Sequence, residues 1–215
     1  MEAGHRIYMT PMPIRIWHWV NALAIVTLCA TGAQIRFPEW VNLFGAYKAA
    51  IRLHNTAGLV ASGSFLLWLG YYLFIGRNLL RLYLPTVNDV RTGFLRQAVY
   101  YVYYYFKGGT NPHSSSPDDK FNPLQKASYL VMMLFLVPLT IVSGILLFRV
   151  QPFQNLLIPL GGVRLVTGVH YLLGCMLTAF LFVHAYLATL GRTPLEHFKP
   201  MWTGWEETPA EEGGE

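Results

Sequence analysis

Residues 165–191 read LVTGVHYLLGCMLTAFLFVHAYLATLG, 27 consecutive residues without Asp, Glu, Lys or Arg, bounded by Arg164 and Arg192. A bilayer core about 30 Å thick is crossed by about 20 helical residues rising about 1.5 Å each. The stretch is therefore predicted to span a membrane. It carries two histidines, His170 and His184, fourteen residues apart. Fourteen residues is close to four helical turns, so both rings lie along nearly the same face, about 21 Å apart along the axis.

Three more charge-free stretches have sufficient length: 16–35 between Arg15 and Arg36, 53–76 between Arg52 and Arg77, and 127–148 between Lys126 and Arg149. Together they predict an all-α integral membrane protein, a four-transmembrane-helix bundle forming one membrane domain over residues 1–215. Composition agrees. The chain is 53% hydrophobic and only 13% charged, against about 25% charged in average soluble domains. That excludes an ordinary soluble enzyme and a disordered chain. The net charge of +5 does not point to nucleic acid, because the basic residues sit where apolar runs end. The aromatic run from Gln97 to Phe106 is too short to span. With Arg91, Arg96 and Lys107 nearby, it predicts an interfacial helix within the 77–121 loop. The first apolar run is long enough to span and has no clear small-residue cleavage site after it, so it reads as a retained helix rather than a removable signal peptide.

Charge sets the expected orientation. With four spans, the N-terminus, the 77–126 loop and the C-terminus share one side. Eleven Lys/Arg fall there, among them Arg6, Arg77, Arg81, Lys120 and Lys199. The other side has five: Arg36, Lys48, Arg52, Arg149 and Arg164. The richer side is predicted to be cytoplasmic, with both termini inside. The C-terminal tail, 203–215, is acidic and reads as solvated. Cys29 and Cys175 lie within spans and read as small apolar residues, not a disulfide framework.

Four of the seven histidines fall inside the spans, where ionisable groups are costly and usually functional. His54 and His170 share the outer level; His18 and His184 share the inner one. Two haems stacked across a bilayer, each with two axial imidazoles, need this arrangement. Two imidazoles per iron leave no open position for oxygen chemistry, so such sites transfer electrons. Zinc fits less well, since neither level has a carboxylate or thiolate. Gly58 and Gly174, each four residues after a histidine, either clear space for a flat macrocycle or let helices pack closely. Arg52 and Arg164 at the outer level and Arg15 at the inner one suit haem propionates, and equally suit the charged ends of spans. His5, His113 and His197 read as ordinary loop residues.

Arg15-Ile-Trp-His18-Trp19 with Asn21, Arg52-Leu-His54 with Gly58, and the His170/His184 pair resemble the di-haem cytochrome b subunits of bacterial respiratory complexes. These include the gamma subunit of membrane-bound formate dehydrogenase and the cytochrome b subunits of nickel–iron hydrogenase and thiosulfate reductase. The resemblance covers all four spans. A second match, Lys120-Phe-Asn122-Pro-Leu-Gln125-Lys126, is similar to a stretch of the formate dehydrogenase gamma subunits beside their quinone pocket. It implies that Asn122, Gln125 and His184 border a quinone site. Asn122 equally fits the N-cap of the third helix. The long 77–121 segment departs from that subunit, and the aromatic run Tyr100–Phe106 suits the thiosulfate reductase and hydrogenase members as well.

The resemblance implies two haems b, a quinone (menaquinone or ubiquinone) as substrate, and iron–sulfur and catalytic oxidoreductase subunits as partners in the bacterial inner membrane. No substrate-oxidising site is identified in the chain itself. Two other readings stay open: a stand-alone di-haem quinol oxidase, and a haem-free transporter or scaffold with a histidine proton path. The two levels generate a direct expectation. His54→Ala and His170→Ala lose the same haem, and His18→Ala and His184→Ala lose the other, as read from reduced-minus-oxidised spectra of the four purified variants. Mixed pairs would overturn the assignment.

Overall fold

The computed structural model describes residues 6–76, 83–113, 119, 121–191 and 193–207. Arg77, Arg81, Lys120 and Arg192 of the charge comparison, the serines at 114–116, and the acidic tail beyond residue 207 lie outside the described residues.

Among the described residues, four helices are long and apolar enough to cross a membrane: α1 (Met12–Arg36), α2 (Tyr47–Ile75), α3 (Pro123–Phe148) and α4 (Gly162–Ala188). Each begins a few residues before its charge-free stretch. Arg15, Lys48, Arg52, Lys126 and Arg164 occupy the opening turns instead of lying outside them. A long basic side chain is tolerated there because its stem can run along apolar surface while its charge reaches water. Only 11%, 22%, 17% and 11% of the most apolar window of each helix is buried within the chain. Leu23, Leu67, Phe74, Ile75 and Phe182 are among the large apolar side chains left exposed. Water does not tolerate so much contiguous apolar surface, but lipid does. The chain is an integral membrane protein.

The contacts divide the chain into two compact units. One comprises the chain up to Phe65 together with the chain from Tyr171 onward; the other is Leu66–His170.

In the first unit, α1 opens with Pro11 as N-cap and a proline in its first turn, where a missing N–H costs no helical hydrogen bond. It closes where the Phe37 N–H bonds the Ala33 carbonyl (2.9 Å), just before Pro38. Gln34 then fixes the connection to α2. It is 2% exposed, accepts from the N–H groups of Leu43 and Phe44, and donates to the Gly45 carbonyl (3.0 Å). Trp17 and Asn21 bind α1 to α2. The indole of Trp17 donates to the Ser64 carbonyl (3.0 Å), and the Asn21 amide donates to the Ser64 hydroxyl (2.5 Å). The two ends of the chain are also joined here. Arg6–Tyr8 (β1) pairs antiparallel with Trp205–Glu207 (β2), Arg6 opposite Glu207 and Tyr8 opposite Trp205. The Gly204 carbonyl accepts from Met9 and Thr10 (2.9 and 3.1 Å). Gly204 has φ +86°, and a Cβ there would meet the Tyr8 ring at 2.6 Å, so only glycine fits. Trp19 reinforces the join by donating to the Met201 carbonyl (2.9 Å) and packing on Trp202.

In the second unit, α3 contains a widened turn in which the Val137 N–H reaches back five residues to Met132. Pro138 follows, and the wider turn relieves the clash of its ring with the preceding turn. Leu146, Leu157 and Val166 form the buried core at the connection from α3 to α4. The 77–121 segment contains a helical run from Asp89 to Lys107, longer at its start than the Gln97–Phe106 stretch expected from sequence. Tyr83, Phe121 and Tyr129 pack together beside it, with Tyr83 stacked on Phe121 at 5.4 Å. A buried ion cluster ties the helical run to α3. Lys126 lies 3.2 Å from Asp89 and 2.7 Å from Asp119. Thr86 donates its N–H to Asp89 (2.8 Å). Burial works to raise the Asp89 carboxyl, but the Thr86 bonds and the Lys126 ammonium together outweigh it, and the carboxyl titrates below the usual carboxylate range.

A carboxyl lowered in the folded state contributes stability above its unfolded pKa and loses it as pH falls through the folded pKa. Wild-type protein should therefore lose protection of the 83–131 segment against hydrogen exchange below about pH 4. Asp89→Asn should remove that pH dependence and lower stability by about 3 kcal/mol, the low end for breaking a buried pair, because Lys126 keeps Asp119.

Candidate functional site

In the first unit, α1 brings His18 and α4 brings His184 face to face. Their ring centroids are 6.2 Å apart with an angle of 53° between planes. Imidazole–metal bonds are about 2.0–2.1 Å long, so two rings bracketing one metal ion stand roughly 6 Å apart. Trp19 meets His18 edge-on at 5.1 Å, and Phe180 stacks on His184 at 5.9 Å, 14° from parallel. Both histidines are half-buried. The Nδ1 atom of His18 is buried with no hydrogen-bond partner. Arg15, one turn earlier on α1, gives a hydrogen bond to the Trp202 carbonyl, yet its Nε is also buried and unpaired. Buried polar atoms are almost always satisfied, so two orphans at one end of α1 mark a place built for a further polar or metallic group. These features fit an anionic, metal-centred group. Gly174 lies ten residues before His184 on α4, and a Cβ there would meet nothing within 4 Å.

His54, also in the first unit, is held differently. Its Nδ1 lies 2.9 Å from the Thr31 hydroxyl of α1, and Thr31 is fully buried. Gly32 follows, and a Cβ there would stand 3.7 Å from the His54 ring. Gly58 sits beside Leu28 of α1, where a Cβ would make ordinary contact at 3.9 Å. Arg52 is exposed.

The second unit repeats this device with other residues. His170 places its Nδ1 2.9 Å from the Ser143 hydroxyl of α3. Ser143 is buried, and Gly144 follows it; a Cβ at Gly144 would meet the ring at 3.2 Å. Thr31-Gly32 and Ser143-Gly144 are not distinguished by sequence, since Ser62-Gly63 in α2 and Thr167-Gly168 in α4 have the same form. Arg164 is exposed.

Asn122 is the N-cap of α3. Its side chain accepts from the Gln125 N–H (2.9 Å), and the Gln125 side chain accepts from the Asn122 N–H (3.0 Å), a reciprocal capping box. The Asn122 amide also donates to the Tyr101 hydroxyl (3.1 Å) and is 4% exposed. Gln125 is exposed. His197 is exposed, as read from sequence. His113 is not an ordinary loop residue. It is half-buried with Nε2 unpaired, and burial foremost, with Lys126 contributing, lowers its pKa against the opposing pull of Asp119 and Asp89. Among the described residues, no three His, Cys, Asp or Glu side chains group as a metal cage.

The family described as prokaryotic cytochrome b561 matches residues 10–204. A protein of Escherichia coli (strain K12) provisionally named cytochrome YdhU is 32% identical over 213 residues, 95% of this chain and 76% of that protein. One from Azospira oryzae, provisionally named protein-methionine-sulfoxide reductase subunit YedZ1, is 26% identical, with 84% and 89% covered. Another from E. coli (strain K12), provisionally named a Ni/Fe-hydrogenase 1 B-type cytochrome subunit, is 31% identical over 140 residues, 60% of this chain and 57% of that one.

The cap is the role of Asn122 that the geometry gives. Asn122→Ala should lower thermal stability by about 1 kcal/mol, while Asn122→Ser should retain most of it. Equal melting temperatures for wild type and Asn122→Ala would contradict that role.

Proposed function

Because the chain belongs to the prokaryotic cytochrome b561 family, a family of membrane b-type cytochromes working in electron transfer, we propose that it passes electrons between a partner subunit on the outer face and the quinone pool near the inner face. The observation that carries this reading is the facing pair His18 and His184 beside the unpaired Nδ1 and Arg15 Nε. Haem b, as the family's cofactor, supplies a one-electron couple when bound.

The chain's own residues do the rest. His18 and His184 hold the inner haem, and His54 and His170 hold the outer one, paired by their levels in the sequence. A haem held by two imidazoles would leave no place for substrate or oxygen. Arg15 answers a propionate at the inner level, and Arg52 and Arg164 do so at the outer level. The quinone site lies on the inner side, bordered by Asn122, Gln125 and His184, as the sequence resemblance implies. The capping box keeps both amides fixed in place, which favours a shaped polar wall over a mobile one. The helical run from Asp89 to Lys107 lies at the cytoplasmic interface, in keeping with its basic and aromatic residues. Both termini are cytoplasmic, and the membrane is the bacterial inner membrane. The relatives are named for different oxidoreductases, a hydrogenase and a methionine-sulfoxide reductase. These names support a catalytic oxidoreductase subunit as the partner; the iron–sulfur subunit beside it is what the sequence resemblance implies.

Protein purified in mild detergent should show a b-type band in its reduced-minus-oxidised spectrum and two haems b per chain by pyridine haemochrome assay. It should also co-purify with an iron–sulfur subunit. One haem per chain would overturn the two-level assignment. A b-type cytochrome that purifies alone and oxidises quinol unaided would favour the stand-alone quinol oxidase.

A further inference from the structure

The hydroxyls of Thr31 and Ser143 have a single hydrogen each, and its destination is readable. Thr31 Oγ1 lies 2.7 Å from the Thr27 carbonyl and 3.2 Å from that of Leu28. Ser143 Oγ lies 2.8 Å from the Leu139 carbonyl and 3.1 Å from that of Thr140. A hydroxyl buried within a helix gives its hydrogen to the carbonyl one turn earlier. It then has only lone pairs to offer to a ring nitrogen 2.9 Å away. The ring must be the donor, which puts the imidazole proton of His54 and of His170 on Nδ1 and leaves Nε2 as the basic nitrogen. Giving up its hydrogen makes each hydroxyl a stronger acceptor.

From this geometry we infer that Thr31 and Ser143 are positioning residues for the outer ligands: each fixes the Nε2-ligating tautomer of its histidine and raises that nitrogen's donor strength toward iron. The inference rests on the proposed ligand roles of His54 and His170 and adds what sets their chemistry. Gly32 and Gly144 belong to the same device. A Cβ at Gly144 would crowd the His170 ring at 3.2 Å, so the missing side chain there lets the ring reach its hydroxyl, while at Gly32 a Cβ would just touch the His54 ring at 3.7 Å.

The direction of the effect follows. A ring N–H that donates to an acceptor makes the imidazole a stronger electron donor, and a stronger donor favours ferric over ferrous iron. Removing the acceptor should raise the midpoint potential of the affected haem. A tenfold change in the ferric-to-ferrous preference corresponds to about 59 mV for a one-electron couple.

The test is potentiometric titration of purified, haem-loaded Thr31→Val and Ser143→Ala, with electron paramagnetic resonance of the ferric form. Thr31→Ser and Ser143→Thr serve as conservative controls. One midpoint should rise in each of the first two variants by an amount equal to a tenfold preference or more. The ferric resonance of that haem should shift, and haem should transfer roughly tenfold faster to apomyoglobin. The conservative variants should return wild-type values. If Thr31→Val does not accumulate, Ser143→Ala decides alone, since it removes one oxygen and adds no bulk. Unmoved or lowered midpoints in variants with normal haem content overturn this inference and leave the cytochrome reading intact. Wild-type protein without a b-type band overturns both.

Discussion

Within an apolar slab, a polar group must find its partner inside the protein, because hydrocarbon offers none. The arrangement of these helices follows from that requirement. Asn21 and Trp17 are satisfied by Ser64, Cys29 stands 3.2 Å from the Thr178 hydroxyl, and the rings of His54 and His170 are satisfied by Thr31 and Ser143. Each bond joins two helices or fixes one ring. Together they set which residues of neighbouring helices stand opposite one another, which van der Waals packing of leucine against leucine would leave loosely determined.

Against this background the exceptions stand out. His18 Nδ1 and Arg15 Nε are two of the three buried side-chain polar atoms without a partner among the described residues, the third being His113 Nε2. The first two lie on the one helix end where His184 faces His18. His54 and His170 are therefore held by hydroxyls before any cofactor is considered, while His18 and His184 are held by aromatic neighbours, Trp19 and Phe180. One protein thus uses two ways of orienting an imidazole: a directional bond for one pair of histidines and ring packing for the other.

Much of this was legible in the sequence, for physical reasons. Charge-free runs reveal spans because hydrocarbon rejects charge, and the fourteen-residue spacing of His170 and His184 reveals a face because helices have a fixed pitch. Asn122 ahead of the third helix reads as an N-cap on chemistry alone, and the structure adds the reciprocal bond with Gln125. The helices begin a few residues before the charge-free runs because the backbone stays helical through basic residues of the opening turns whose charges are exposed, as at Arg52 and Arg164, or paired, as at Lys126. The hydroxyl–glycine pairs were overlooked because a contact from α1 to α2, or from α3 to α4, has no period along the chain. The two three-residue strands were invisible for the same reason: they are too short to alternate, and their partners are some two hundred positions apart.

Those strands have a consequence for biosynthesis. Arg6 is made before the first span and Glu207 after the last, so the register that pairs them exists only after α4 has been threaded into the bilayer. Until then Met9 and Thr10 lack the Gly204 carbonyl, and the start of the first helix is tied only to α2 through Trp17 and Asn21. The clasp closes only if α4 ends on the side from which α1 starts. A chain whose last helix has inserted the wrong way round carries β2 to the opposite side of the membrane and cannot complete it.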